Sequence, residues 1–217
     1  MYISIKQLLP AILLFLFCLP HVSNAQNTFK NNALEIIFSN SYSPIYADHG
    51  TGADMDLSTW RPITNPGFYS LGHMAKQGYS KPTSEMVLVK PIDPDALRHP
   101  IDYRRIYIDS GTGGDQDASF WEPIPPAGYV ALGMVVMNSY SKPSLSEVVC
   151  VRNDLVAPAE IGDLIWHDRG SGGDMDVSLW QIKVGMNSEM IVPNTFFAHA
   201  NYSKPRSAPI CYGLKLY

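Results

Sequence analysis

The chain has 217 residues, with 16 Lys and Arg against 20 Asp and Glu and a formal charge of −4. A mildly acidic balance argues against nucleic acid as a partner. Seventeen prolines and sixteen glycines leave no window comfortable for a helix of ordinary length, so the expected class is all-β.

The first element reads as a leader. Met1 and Lys6 precede an apolar run from Leu8 to Leu19, and Ser23-Asn24-Ala25 follows. A positive start, a short apolar core and small residues before a cut make a secretory signal. The run contains Pro10 and is too short to span a bilayer. Residues 1–25 are therefore expected to be removed, leaving 26–217 as one secreted, soluble domain.

That domain is written three times, over about 34–96, 97–154 and 155–217. Each unit opens with a short run ending in an Ile-aromatic pair: Ile45-Tyr46, Ile106-Tyr107, Ile165-Trp166. A glycine loop follows, with the pattern D-x-G-[TS]-G-x-D-x-D-x-S-x-W. Its copies run from Asp48 to Trp60, from Asp109 to Trp121 and from Asp168 to Trp180. Repeats one and two continue through a Pro-rich turn to G-[FY]-x-x-L-G, ending at Gly72 and Gly133. Repeat three has lost that loop. Each unit then carries Tyr-Ser-Lys-Pro (Tyr79, Tyr140, Tyr202) before a last apolar run such as Met86-Val87-Leu88-Val89.

Short β-branched or aromatic runs bounded by Gly, Pro, Asn and Ser read as strands. One such unit cannot bury its apolar face alone, whereas three around a common axis can. The expected fold is a three-repeat β-prism with pseudo-threefold symmetry, ranked above a β-trefoil, whose units are shorter. Trp60, Trp121 and Trp180 end alternating stretches and are assigned to the core. Beyond the leader the cysteines are Cys150 and Cys211, each in the last run of its repeat, and they are read either as one disulfide or as two buried thiols.

Nine of the twenty acids stand in the three loops. Asp48, Asp54 and Asp56, with Asp109, Asp115 and Asp117 and with Asp168, Asp174 and Asp176, are the candidate ligand-binding acids. Alternation places the last two of each loop on one side. Asp54, Asp56, Asp115, Asp117, Asp174 and Asp176 are thus candidate calcium ligands through hard oxygen donors. The spacing is not that of an EF-hand. The competing reading is that these Asp cap the N–H groups of their own turns. Glycine loops with acids can also bind sugar hydroxyls while an aromatic stacks on the pyranose. Tyr79, Tyr140 and Tyr202 are the candidate aromatics, or else they pack on the following Pro.

Catalytic motifs are missing: there is no G-x-S-x-G, no H-E-x-x-H and no phosphate loop. The histidines do not follow the repeat, since His49 aligns with Ser110 and Arg169, and His73 stands alone. Asn201-Tyr202-Ser203 is a glycosylation sequon.

The pattern W-[RE]-P-I with a Pro-rich turn and G-[FY]-x-x-L-G, downstream of the Asp-Gly loop, resembles the vacuolar-protein-sorting sixty-two family. The resemblance spans nearly the whole chain beyond the leader. It implies a β-prism-like fold and, from similar modules attached to secreted pore-forming proteins, recognition of target surfaces. Related repeats in the adaptor-binding region of large vacuolar-sorting lipid-transfer proteins imply protein interaction instead. The functional expectation is a secreted, non-catalytic, lectin-like protein that recognises carbohydrate or glycolipid, with Ca²⁺ as the candidate cation. The alternatives are a peptide- or protein-docking module and an accessory component of a membrane-active toxin.

Overall fold

The β-branched and aromatic runs do form strands. The computed structural model describes residues 28–185, 189–206 and 211–216, and the leader and its cleavage point lie outside these. After an edge strand β1 (Thr28–Lys30), repeat one supplies β2 (Leu34–Ser39), β3 (Tyr42–Ala47), β4 (Leu57–Pro62), β5 (Tyr69–Ser70), β6 (Met74–Gln77) and β7 (Met86–Pro91). Repeat two supplies β8 (Leu97–Arg98), β9 (Asp102–Ile108), β10 (Ser119–Ile124), β11 (Tyr129–Val130), β12 (Val135–Met137) and β13 (Cys150–Arg152). Repeat three supplies β14 (Val156–Pro158), β15 (Glu160–His167), β16 (Ser178–Lys183), β17 (Met190–Ile191), β18 (Phe196–His199) and β19 (Tyr212–Lys215). Among the described residues the sole helical element is the 3-10 turn Asn153–Leu155. The all-β expectation is met.

Six small antiparallel sheets result, two from each repeat. One takes the first, last and fourth strands of its six (β2-β7-β5, β8-β13-β11, β14-β19-β17). The other takes the second, third and fifth (β3-β4-β6, β9-β10-β12, β15-β16-β18). The same wiring thus recurs in all three repeats, and β1 adds a fourth strand beside β2.

Two apolar clusters join the repeats. The first sheets share Leu34, Ile36, Val87, Val89, Val149, Val151 and Leu214. The second sheets share Tyr46, Leu57, Tyr107, Phe120, Trp166, Leu179 and Phe196. The Ile-aromatic signature acquires a reason here. Ile45, Ile106 and Ile165 are each skipped by the ladder to the next strand, so each is the extra residue of a β-bulge. A bulge bends and twists its strand, and each following aromatic is buried in the shared cluster.

The tryptophans of the loop motif are buried, each at a junction the motif explains. Trp60, Trp121 and Trp180 donate from Nε1 to Ser58, Ser119 and Ser178 at 3.0, 2.7 and 2.8 Å. Each serine hydroxyl donates onward to the carbonyl just before the repeat's tyrosine: Gly78, Ser139 and Asn201. The S-x-W signature is therefore the clasp that holds Tyr-Ser-Lys-Pro beside the Asp loop.

Between the two clusters, repeat three replaces the Leu-Gly of its siblings with Asn194-Thr195. Thr195 is buried and its hydroxyl donates to the Leu132 carbonyl. A Cβ at Gly133 would stand 2.6 Å from Thr195 Oγ1, and one at Gly72 would stand 2.9 Å from Thr195 Cγ2. Two glycines make room for one threonine.

Cys150 and Cys211 are free and buried, not bonded to each other. Burial pushes the Cys150 thiol up to about 12 and the Cys211 thiol, with a contribution from Glu160, up to about 11, so both stay protonated and inert.

Candidate ligand-binding loops

The three Asp of each loop are divided among three tasks. The first closes the loop. Asp48, Asp109 and Asp168 are buried, and their Oδ1 atoms accept the N–H of Leu57, Ala118 and Val177 at 2.8, 2.9 and 3.0 Å. Desolvation raises all three carboxyls above the usual carboxylate range, against the lowering effect of those backbone donors. These are turn caps first, as the structural reading of the sequence had it.

The second Asp joins neighbouring loops. Asp54 N donates to the Arg169 carbonyl at 2.7 Å, Asp115 N to His49 at 2.9 Å and Asp174 N to Ser110 at 3.0 Å. Loop one therefore leans on loop three, loop two on loop one and loop three on loop two. The first glycine of each loop, two residues after the first Asp, permits this approach. Gly170 sits at φ +87°, and a Cβ there would meet Asp54 Oδ1 at 2.7 Å and the Gly52 carbonyl at 2.9 Å.

The third Asp meets the tyrosine. Tyr79 donates to Asp56 at 3.1 Å and Tyr202 to Asp176 at 2.9 Å. Tyr140 stands beside Asp109 and Asp117; desolvation and these charges push its phenol up to about 12. So the structure brings the sequence-selected tyrosines and third Asp residues together and sends the second Asp elsewhere. Among the described residues no group of three or more His, Cys, Asp or Glu is placed to hold a metal ion.

The inner aromatics complete the ring. Trp166 Nε1 donates to Asp48 Oδ2 at 2.9 Å and to the Met55 carbonyl at 2.8 Å, tying repeat three to repeat one. Tyr46 faces Asp109 and Tyr107 faces Asp168, with burial the main reason that both phenols are raised.

The ring faces of the three tyrosines differ. The His49 ring lies 3.7 Å from that of Tyr79, and the Arg169 guanidinium lies 4.4 Å over Tyr202. Position 110, between them in the repeat, is Ser. The signal for this asymmetry stood in the sequence, in the column after the first Asp.

Sequence reasoning left His73 without a role. It is fully buried, and its backbone N–H donates to the Met134 carbonyl at 2.9 Å. Nδ1 accepts the Val136 N–H at 3.0 Å, so Nε2 carries the proton and faces Glu147 Oε1 at 2.9 Å. Glu147 also receives Arg61 Nε at 2.6 Å. Burial lowers the His73 pKa, and a ring nitrogen that accepts the Val136 N–H carries no proton. Glu147, which burial alone would raise, is held below its usual value by His73 and Arg61. This cluster clamps repeat one to repeat two.

Grooves separate the second sheets of adjacent repeats. One, of about 370 Å³, lies between β6 and β15 and is lined by Met74, Lys76, Gln77, Leu164, Gln181 and Asn194. Another, of about 280 Å³, is lined by Tyr46, His49, Tyr79, Gln116 and Asn138.

The sequence signature of the family described as Vacuolar protein sorting-associated protein 62 matches residues 19–215. No curated relative matches the chain. Among solved structures, GNIP1Aa from Chromobacterium piscinae is similar, at 28% identity and a TM-score of 0.70. That likeness covers 83% of this chain and 37% of the other, so the chain spans little more than a third of its structural relative.

Proposed function

The chain belongs to the vacuolar protein sorting-associated protein 62 family, and from that premise we propose that it is a secreted, non-catalytic recognition module. In this reading its three repeats form a β-prism with pseudo-threefold symmetry. The loop end recognises carbohydrate or glycolipid on a surface. The observation that carries the proposal is Tyr140: an exposed aromatic ring beside Asp117, next to loops that are hydrogen-bonded to one another. A stacked ring with a neighbouring carboxylate suits a pyranose and its hydroxyls, and a preformed site loses little ordering entropy on binding.

Calcium has no part in this proposal. The first Asp of each loop caps its turn, the carboxylate of the second stands against the first glycine of the neighbouring loop, and the third meets the tyrosine, so the three carboxylates of a loop do not converge on one point. A glycan array probed with residues 26–217, with calcium and with chelator, tests it. Binding is expected in both conditions and is expected to weaken in Asp117→Asn. Chelator-sensitive binding would return the Asp loops to metal coordination, and a blank array would end the lectin reading.

A docking module for extended peptides is the second reading, favoured by the groove between the edge strands β6 and β15. Unpaired strand edges accept an added strand. Among the described residues no helix is long and apolar enough to cross a membrane.

A further inference from the structure

Each repeat presents the same tyrosine, yet among the described residues two of the three rings carry a stacked cation or imidazole and the third does not. Over Tyr202 lies the guanidinium of Arg169 at 4.4 Å, with His167 at the ring edge, 5.9 Å between centroids. Against Tyr79 lies the imidazole of His49, tilted by 34° at 3.7 Å. The residue that covers each ring is the one after the first Asp. In repeat two that residue is Ser110, whose hydroxyl instead donates to Asp174 Oδ2 at 3.1 Å. Among the described residues no ring or cation is stacked on Tyr140; its overall exposure, 39%, is close to the 37% of Tyr79, so the difference lies in the free ring face and not in total burial.

A second difference is confined to the same repeat. Asp109 is 4% exposed, and its Oδ2 makes no hydrogen bond of ordinary length although the phenols of Tyr46 and Tyr140 both face this carboxylate. The corresponding oxygen of Asp48 accepts Trp166 Nε1. A buried carboxylate oxygen without a donor is costly, and a nearby positive charge offsets that cost. Asp117 adds a second carboxylate at the exposed rim, beside the electron-rich face of the phenol.

We infer that the open face of Tyr140, with Asp117 at its rim and the charge of the buried Asp109 behind it, binds a cationic group of the ligand, an ammonium or a guanidinium. It does so as Arg169 fills the equivalent place in repeat three from within the chain. The inference rests on the reading of Tyr140 as the contact residue and adds that the ligand is positively charged there. An amino sugar with a free ammonium joins both requirements. A chain of formal charge −4 favours the same sign of partner.

Titration by NMR of residues 26–217 with glucosamine, N-acetylglucosamine, arginine amide and citrulline amide decides it. Glucosamine or arginine amide should bind one equivalent at Tyr140, with the neutral counterparts about tenfold weaker. Ser110→Arg should abolish the site by filling it from within. Arg169→Ser should open Tyr202 and raise the stoichiometry to two. Tyr140→Leu repeats the loss without adding charge, and thermal melts confirm that each variant folds. Neutral and cationic probes binding alike at Tyr140 would overturn the cation site and leave the lectin reading standing. Arginine amide binding while no sugar binds would keep the cation site and overturn the lectin reading. No binding by either cation, or unchanged binding in Ser110→Arg, overturns the inference.

Discussion

His73 in repeat one donates from Nε2 to the carboxylate of Glu147 in repeat two, 2.9 Å away, while its other ring nitrogen accepts a backbone N–H from Val136. A neutral imidazole is thus built into the seam between two repeats. Its folded pKa is lowered from the ordinary 6.5, so its contribution to stability is complete above that value. It is lost as pH falls below it, because the unfolded chain takes the proton first. Glu147, held low, acts in the same direction at lower pH. The melting temperature should therefore drop on acidification below about pH 6.5. His73→Met, which installs the residue that repeat two carries at Met134, should flatten that first part of the profile. An unchanged profile would place the pH dependence elsewhere.

Ser119 both accepts from Trp121 Nε1 at 2.7 Å and donates to the Ser139 carbonyl, one residue before Tyr140. Ser119→Ala strands a buried indole N–H and frees the tyrosine turn. A loss of about 1–3 kcal/mol is expected from the unsatisfied donor, read by chemical denaturation. Ligand binding at Tyr140 should weaken as well. A variant as stable as the parent would mean that the clasp is dispensable.

Much of this was legible in the chain because the repeat prints each structural device three times. The D-x-G loop and the buried tryptophans could be read from residue type and spacing alone, whereas the serine of S-x-W was a repeated letter whose clasp only the hydrogen bonds explain. The interlocking of the loops could not. Asp54 leans on the carbonyl of Arg169, and a carbonyl is common to every residue, so no letter marks it. Glu147 lies 74 residues from His73, and neither residue signals the other. The covering of Tyr79 and Tyr202 was visible only as disagreement in one column, at His49, Ser110 and Arg169. Departures from the repeat carried the functional information, and agreement with it carried the fold.

The contact of Thr195 with Gly72 and Gly133 predicts a compensating pair. Gly133→Ala would drive a methyl against the side chain of Thr195, with Oγ1 only 2.6 Å away. Overpacking of this kind costs about 1–3 kcal/mol. Thr195→Gly removes the obstacle and restores the residue type that the first two repeats carry there. The double variant should recover most of the loss of Gly133→Ala, with a coupling energy of about 1 kcal/mol or more in a double-mutant cycle. Additive losses would show that the two positions are not in contact.

The buried carboxylates predict opposite outcomes for one and the same substitution. In Asp109→Asn the amide oxygen keeps the Ala118 N–H, and the new NH₂ falls where Oδ2 has no partner. In Asp48→Asn the NH₂ would confront Trp166 Nε1–H, donor against donor. Asp48→Asn should then cost about 1–3 kcal/mol at neutral pH. Asp109→Asn should be neutral or stabilising, because its folded-state carboxyl is raised by burial and ionisation works against the fold. The sign with pH follows. A raised carboxyl favours the fold below its unfolded value, near 3.8, and that advantage is lost as pH rises through the folded pKa. Any gain of Asp109→Asn over the parent should therefore shrink as the solution is taken from pH 7 toward pH 4, the reverse of the His73 effect. Urea midpoints of the two variants at both pH values test this directly. Equal losses in both variants would mean that the Trp166 bond contributes nothing and that Asp109 is held by a donor after all.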